Sequence, residues 1–395
     1  SNSSAASDVY KRQVMVRFTL PRDLYHGKGA LEALKTLKGK KAIICVGGGS
    51  MKRFGFLQRA EDYLKEAGME VKLFEGIESD PSVDTVMKGA KVMEEYQPDW
   101  IVAIGGGSPI DAAKAMWIKY EYPDTTFEDM CKVFGLPKLR TKAHFCAVSS
   151  TSGTATEVTA FSVITDYEKG IKYPLADFEI TPDVAIVDPE LAETMPKKLV
   201  AHTGMDAMTH AIEAYVSTAN CDYTDALALH AMKMIKDDLV GSYNEDMEKR
   251  DAMHNAQCLA GMAFSNALLG IVHSMAHPLG AFYDTPHGVA NALLLPYVME
   301  YNAESPAKPK YKAIAKAMGV QGTENMTDEE GVKAAVEAVR KLSLSINIPQ
   351  KLHEINVKEE DLKDLSVAAF NDVCTGGNPR ETNSDEILEI YKKAF

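Results

Sequence analysis

The chain offers no paired cysteines. Its six, at 45, 131, 146, 221, 258 and 374, are scattered with no CxxC among them. That spacing argues against a disulfide framework and a cysteine-rich zinc site, and it fits a reducing compartment. No stretch approaches the roughly 18 to 20 uninterrupted apolar residues of a spanning helix. Residues 1–13, SNSSAASDVYKRQ, lack the apolar core of a signal peptide and read as a non-native or disordered extension. Positive charge is in deficit too: 43 Lys and Arg against 56 Asp and Glu leave a formal net charge of -13. Neither nucleic acid nor a membrane is then expected as a partner. A phosphorylated cofactor is still admissible, because backbone donors can hold an anion within an acidic protein. The GxGxxG fingerprint is absent, as are repeats and low-complexity tracts beyond the extension. The expected location is the cytoplasm.

What is present is an ordinary globular composition, 46% hydrophobic and 25% charged over 395 residues, long enough for two domains. In the first half, short apolar runs alternate with helical spacing. Strands are expected at 41–46, 70–74, 100–104, 144–148 and 184–187, and helices at 56–67, 83–96 and 109–117. Such alternation implies βαβ units on a parallel sheet. Beyond Pro196 long Ala/Met/Leu-rich segments dominate, at 205–217, 225–238, 247–269 and 332–342, and 302–310 reads as an exposed loop. The expected organisation is an α/β domain with a Rossmann-like parallel sheet over 14–195, followed by an all-α domain over 196–395.

Two glycine runs follow strands and precede helices: Gly47-Gly48-Gly49-Ser50 and Gly105-Gly106-Gly107-Ser108-Pro109-Ile110-Asp111. Glycine lets the backbone turn sharply against an anion, and the helix start presents free N–H groups. Ser108 is expected to cap that helix, with Pro109 at its first position and Asp111 in its first turn. Either run alone is as readily a plain turn; two at equivalent junctions favour phosphate binding. The loop from Ser149 to Thr154, with Thr151 and Ser152, offers further hydroxyl and backbone donors, though by itself it is as readily a surface loop.

Seven of the ten histidines fall between 202 and 287. Asp206 and His210, four apart on a helical pattern, share one face that is otherwise Ala, Met and Ile. An unpaired carboxylate there would be costly. His273, His277 and His287 follow in a weakly charged neighbourhood. Imidazoles with one carboxylate suit Fe(II) or Zn(II), and a purely structural role is the minority reading.

GGGSPIDAAK at 105–114, STSGTATEV at 150–158, GMDAMTHAIEAY at 204–215 and HSMAHPLG at 273–280 together resemble the iron-containing (group III) alcohol dehydrogenases. The match runs from Phe18-Thr19-Leu20-Pro21 to the Cys374–Arg380 segment and is most like the butanol-dehydrogenase type. The architecture implied is shared with dehydroquinate synthase. The resemblance implies one metal ion, Fe(II) or else Zn(II), held by Asp206, His210, His273 and His287, with His277 as a proton relay near the nicotinamide. It places Gly106, Gly107, Ser108, Asp111, Thr151, Ser152 and Thr154 against pyrophosphate and nicotinamide, and Lys172 near a ribose. It also implies a homodimer or larger homo-oligomer. Where many NAD-using members carry an acidic residue after the first of these strands, this chain has Gly47, then Gly48, Gly49 and Ser50, with Lys52 and Arg53 close by. Loss of the carboxylate removes repulsion against a 2′-phosphate, so NADP(H) is expected over NAD(H).

The function expected is metal-dependent, NADP(H)-linked interconversion of small primary alcohols and aldehydes. The rivals are a glycerol-dehydrogenase-like or dehydroquinate-synthase-like enzyme on the same fold, a metallohydrolase without nicotinamide, and an inactive homologue. Phe161, Phe264, Leu268 and Leu269 lean towards an aliphatic substrate.

Overall fold

The computed structural model describes residues 16–395; the extension expected at 1–13 lies outside them. The chain divides into two compact units, Thr19–Thr194 and Met195–Phe395, and residues 16–18 group with the second. The sequence reading had placed those three residues in the α/β domain.

The first unit is built on six parallel strands: β1 (Asp23–His26), β2 (Lys41–Val46), β3 (Glu70–Phe74), β4 (Trp100–Gly105), β5 (His144–Ser149) and β8 (Val184–Val187). Their order across the sheet is β1-β8-β5-β4-β2-β3, with Ile43 beside Ile101 and Ile101 beside Phe145. Alternate residues of the central strands face opposite sides, and both sides are covered. Ile43, Cys45, Ile101 and Ala103 pack with α2 (Val83–Tyr96) and α3 (Gly107–Glu121). Ala42, Ile44, Val46, Val102 and Ile104 pack with α1 (Phe56–Glu66). Burial on both faces is why these strands read as continuous apolar runs.

The chain runs outward from β2 to the edge strand β3, then returns to β4 on the other side of β2. The reversal leaves a crevice beyond the carboxyl ends of β2 and β4, where open α/β sheets bind ligands. Both glycine runs lie there. The hairpin of β6 (Phe161–Asp166) and β7 (Ile171–Ala176) was not expected. Pro174 within β7 and the charged turn between the strands obscure it. The edge strand β1, only four residues long, has too little pattern to read.

The second unit is helical. It comprises α4 (Lys197–Val216), α5 (Asp222–Tyr243), α6 (Met247–Ala267), α7 (Ile271–Tyr283), α8 (His287–Asn302), α9 (Tyr311–Ala317), α10 (Asp328–Ser345), α11 (Leu362–Phe370) and α12 (Ser384–Ala394). Prolines at 278 and 296 lie inside α7 and α8, two helices that apolar spacing had not marked. The expected loop at 302–310 ends in a short turn of helix, and Lys310 is tied down by Tyr215, Asn220 and Asp225. Among the described residues, no single helix is long and apolar enough to cross a membrane.

Candidate functional site

In the α/β unit, three small-residue loops follow three neighbouring strands, β2, β4 and β5. A Cβ built on Gly48 or Gly49 would meet nothing within 4 Å, so the first loop faces open space. Ser50 is exposed and begins a single helical turn, Ser50–Arg53. Lys52 is held by Glu75 at 3.1 Å, and the Arg53 guanidinium lies over Phe54.

The second loop is close-packed. A Cβ on Gly106 would come within 3.1 Å of Thr151, and one on Gly107 within 3.2 Å of Thr154. The hydroxyl oxygens of both threonines are buried without a hydrogen-bond partner among the described residues. Buried hydroxyls are normally satisfied. Two orphans against a glycine turn at the start of α3 are what an anion-binding loop would leave unpaired, so this loop fits a pyrophosphate. Ser152 is buried beside them.

Ser108 is not the helix cap that its position predicted. Gly106 occupies that place and Pro109 is the third helical residue, a position whose missing N–H costs nothing because the first turn has no internal acceptor. The Ser108 hydroxyl instead accepts the Asp80 N–H at 3.2 Å. Asp111 is turned inward, accepting from the Thr156 hydroxyl at 2.6 Å and the Val163 N–H at 3.1 Å. Lys172 is paired with Asp80 at 2.7 Å. Asp80, absent from the sequence reading, thereby joins Ser108 to the hairpin.

The helical unit gathers the histidines. Asp206 and His210 come from α4, His273 and His277 from α7, and His287 opens α8. A Cβ on Gly288 would lie 2.2 Å from the His202 carbonyl oxygen, so glycine is what allows the start of α8 to approach α4. Asp206 Oδ1 stands 3.8 Å from His210 Nε2, 3.9 Å from His273 Nε2 and 3.6 Å from His287 Nε2. Donors around a tetrahedral divalent ion at roughly 2.0–2.2 Å are about 3.4 Å apart. Asp206, His210 and His273 bring three donor atoms within 4.8 Å of one another, His287 approaches the group beside Asp206, and the donor set suits such an ion.

The electrostatics agree. Burial pushes His273 down to about 4 and His287 down to about 3, so both rings are neutral with lone pairs available. Burial alone would raise the Asp206 carboxyl, but at the acid pH where it would titrate, charge on its imidazole neighbours, His210 first, and the Asn291 amide hold it below its usual value.

Three further polar residues that the sequence reading did not single out complete the site. Glu213 Oε2 lies 2.5 Å from His273 Nδ1; burial pushes this carboxyl up, against the N–H groups of Val272, Gly270 and His273 that favour its ionised form. Asn291 Nδ2 donates to Asp206 Oδ1 at 2.7 Å and lies 3.1 and 3.0 Å from Nε2 of His273 and His287. Asp372 Oδ2 lies 2.7 Å from His277 Nδ1, while its Oδ1 accepts the Cys374 N–H. Glu213 lies three residues after His210 and Asn291 four after His287, so helical spacing could have found both; Asp372 has no local signal. Phe264 stacks on His210 at 4.3 Å between centroids, which places one expected apolar residue against the cluster.

Two family models match the chain: iron-containing alcohol dehydrogenase over residues 21–189 and the C-terminal domain of the Fe-containing alcohol dehydrogenase family over 200–395. An NADPH-dependent butanol dehydrogenase of Clostridium saccharobutylicum is 59% identical over 385 residues, spanning 96% of this chain and 98% of that protein. A solved 1,3-propanediol oxidoreductase superposes with a TM-score of 0.91 at 37% identity, covering 96% of this chain and 100% of the other. The iron-containing alcohol dehydrogenase of Thermococcus thioreducens gives a TM-score of 0.87 at 36% identity, covering 96% and 99%.

Proposed function

We propose that this chain, which belongs to the iron-containing alcohol dehydrogenase family, moves hydride between NADP(H) and a short primary alcohol–aldehyde pair of about butanol size. It is an oxidoreductase, and alcohol–aldehyde interconversion is its reaction class. The observation that carries the reading is the convergence of Asp206 Oδ1 with Nε2 of His210, His273 and His287.

When bound, an Fe(II) ion supplies Lewis acidity to the substrate oxygen and the nicotinamide supplies the hydride acceptor or donor. The chain's own residues do the rest. Asp206, His210, His273 and His287 would hold the ion. Asp372 fixes Nδ1 of His277, so that Nε2 of that ring exchanges the substrate's hydroxyl proton.

Gly106, Gly107 and the start of α3, with Ser108, Thr151, Ser152 and Thr154, take the pyrophosphate. Asp111 has internal partners and shapes these loops from beneath, while Lys172, paired with Asp80 at the surface, lies on the ribose side. The open face of Gly48 and Gly49, with Ser50, receives the adenosine 2′-phosphate, in keeping with the NADPH named for the butanol dehydrogenase relative. The two units act as separate domains, one for nucleotide and one for metal. The six free cysteines fit a cytoplasmic enzyme, and homodimer or larger assembly follows from family resemblance alone.

The test is oxidation of NADPH and NADH, in parallel at 340 nm, by anaerobic Fe(II)-loaded protein supplied with butyraldehyde. Faster NADPH oxidation is the expected result. Faster NADH oxidation would sink the cofactor reading, and no oxidation of either with iron bound would sink the substrate class.

A further inference from the structure

On α4 Glu213 lies seven residues after Asp206 and three after His210, which sets it on the stripe of the helix that carries both. It is 3% exposed, and both its oxygens have work. Oε1 accepts the Val272 N–H at 2.7 Å, and Oε2 lies 2.5 Å from Nδ1 of His273. A Cβ on Gly270 would stand 2.9 Å from Oε1, so a glycine at that place is what admits the carboxylate to the start of α7. One side chain thereby grips both the backbone and the ring of the segment that delivers His273.

We propose that Glu213 is the positioning residue for His273, setting which ring nitrogen faces the metal and locking the ring's rotation. The proposal rests on the reading that Asp206, His210, His273 and His287 hold the ion. A neutral imidazole carries one N–H, and a carboxylate at Nδ1 keeps that proton there, leaving the Nε2 lone pair for the metal. Glutamine cannot replace it. The carboxylate serves two donors with two acceptors, whereas an amide has one acceptor and would turn its NH2 on either Val272 N–H or the ring. Facing the ring, the amide would favour the opposite tautomer and put a hydrogen on Nε2.

The experiment is titration of the metal-free full-length protein with Co(II), following both affinity and the visible absorption of the bound ion. Glu213→Gln should bind Co(II) about 10- to 100-fold more weakly, with altered absorption bands, while its metal-free form unfolds close to the wild-type temperature. Wild-type affinity and bands in Glu213→Gln would overturn the proposal alone. A wild-type protein that binds no Co(II) would remove the metal reading itself. Should Glu213→Gln not fold, NMR of unmodified Zn(II)-loaded protein decides: a strongly downfield Nδ1 proton on His273 supports the role, and a bare Nδ1 overturns it.

Discussion

His273 and His277 stand one helical turn apart on α7, yet their surroundings give them different work. His273 is buried among the other candidate ligand atoms, whereas His277 leans on Asp372 at 2.7 Å. His273→Ala should therefore lose metal and activity together, as read by bound iron and turnover on one sample. His277→Ala should keep its iron and turn over at least about 100-fold more slowly, the usual scale of general acid–base assistance. Full turnover in His277→Ala would remove it from proton transfer. Cofactor choice can be tested one residue at a time as well. A Cβ at Gly48 has open space around it, whereas one at Gly47 would lie 3.1 Å from the Ile77 carbonyl oxygen. Gly48→Asp should leave thermal unfolding unchanged and raise the KM for NADPH about tenfold, roughly 1.4 kcal/mol of like-charge repulsion. An unchanged KM would mean that the 2′-phosphate binds elsewhere.

Between residue and fold, α3 is anchored at its middle and at its last residue by two buried charged side chains. Lys114, fully buried, donates to the carbonyls of Thr156, Thr159 and Phe161 at 2.7, 2.7 and 2.9 Å, tying the helix to the approach to β6. At the C-terminal end, Glu121 collects the N–H groups of Arg140, Thr141, Lys142 and Ala143 ahead of β5. Burial alone would raise the Glu121 carboxyl, but the Thr141 hydroxyl and these backbone donors hold it below its ordinary 4.5. A depressed carboxylate stabilises fully above its unfolded value and stops doing so as pH falls through the folded one. Glu121→Gln should cost about 2–3 kcal/mol at pH 7, since buried donors lose a charged acceptor. That gap should narrow below pH 4.5, as denaturant unfolding of both forms at the two pH values would show. A gap independent of pH would reduce Glu121 to packing. The helix itself and the strands beside it were legible because their apolar runs are long and end in glycine. β6 and β7 were not, since Lys172, Tyr173 and Pro174 give no alternation.

On the scale of the molecule, the division at residues 194 and 195 puts all four metal-ligand candidates in one unit and the glycine loops in the other. On the proposed site assignments, metal should stabilise the helical unit and nucleotide the other. Calorimetry of metal-free protein should show Fe(II) raising the transition of the helical unit, by about 4 kcal/mol at a thousandfold excess over Kd. NADPH should act first on the other unit. A metal that moved only the α/β transition would contradict the ligand assignment. The same scale explains what the sequence could not disclose. Ligand types stood out through their local motifs, but the groups that orient them act across 60 residues for Glu213 and His273, 85 for Asn291 and Asp206, and 95 for Asp372 and His277. No local pattern reports such pairs, although helical spacing from His210 and His287 marks Glu213 and Asn291 themselves as neighbours of the cluster.

The placement of the cage late in the chain also orders events during synthesis. The α/β unit is complete once Thr194 has left the ribosome, whereas the cage waits for His287 and its neighbour Asn291. At ordinary elongation rates that interval is roughly 5 to 20 seconds. A nascent chain can therefore hold a finished nucleotide-binding fold while Asp206 and His210 are still without their partners. On the proposed ligand set, iron meets fewer than all four of its donors during that interval.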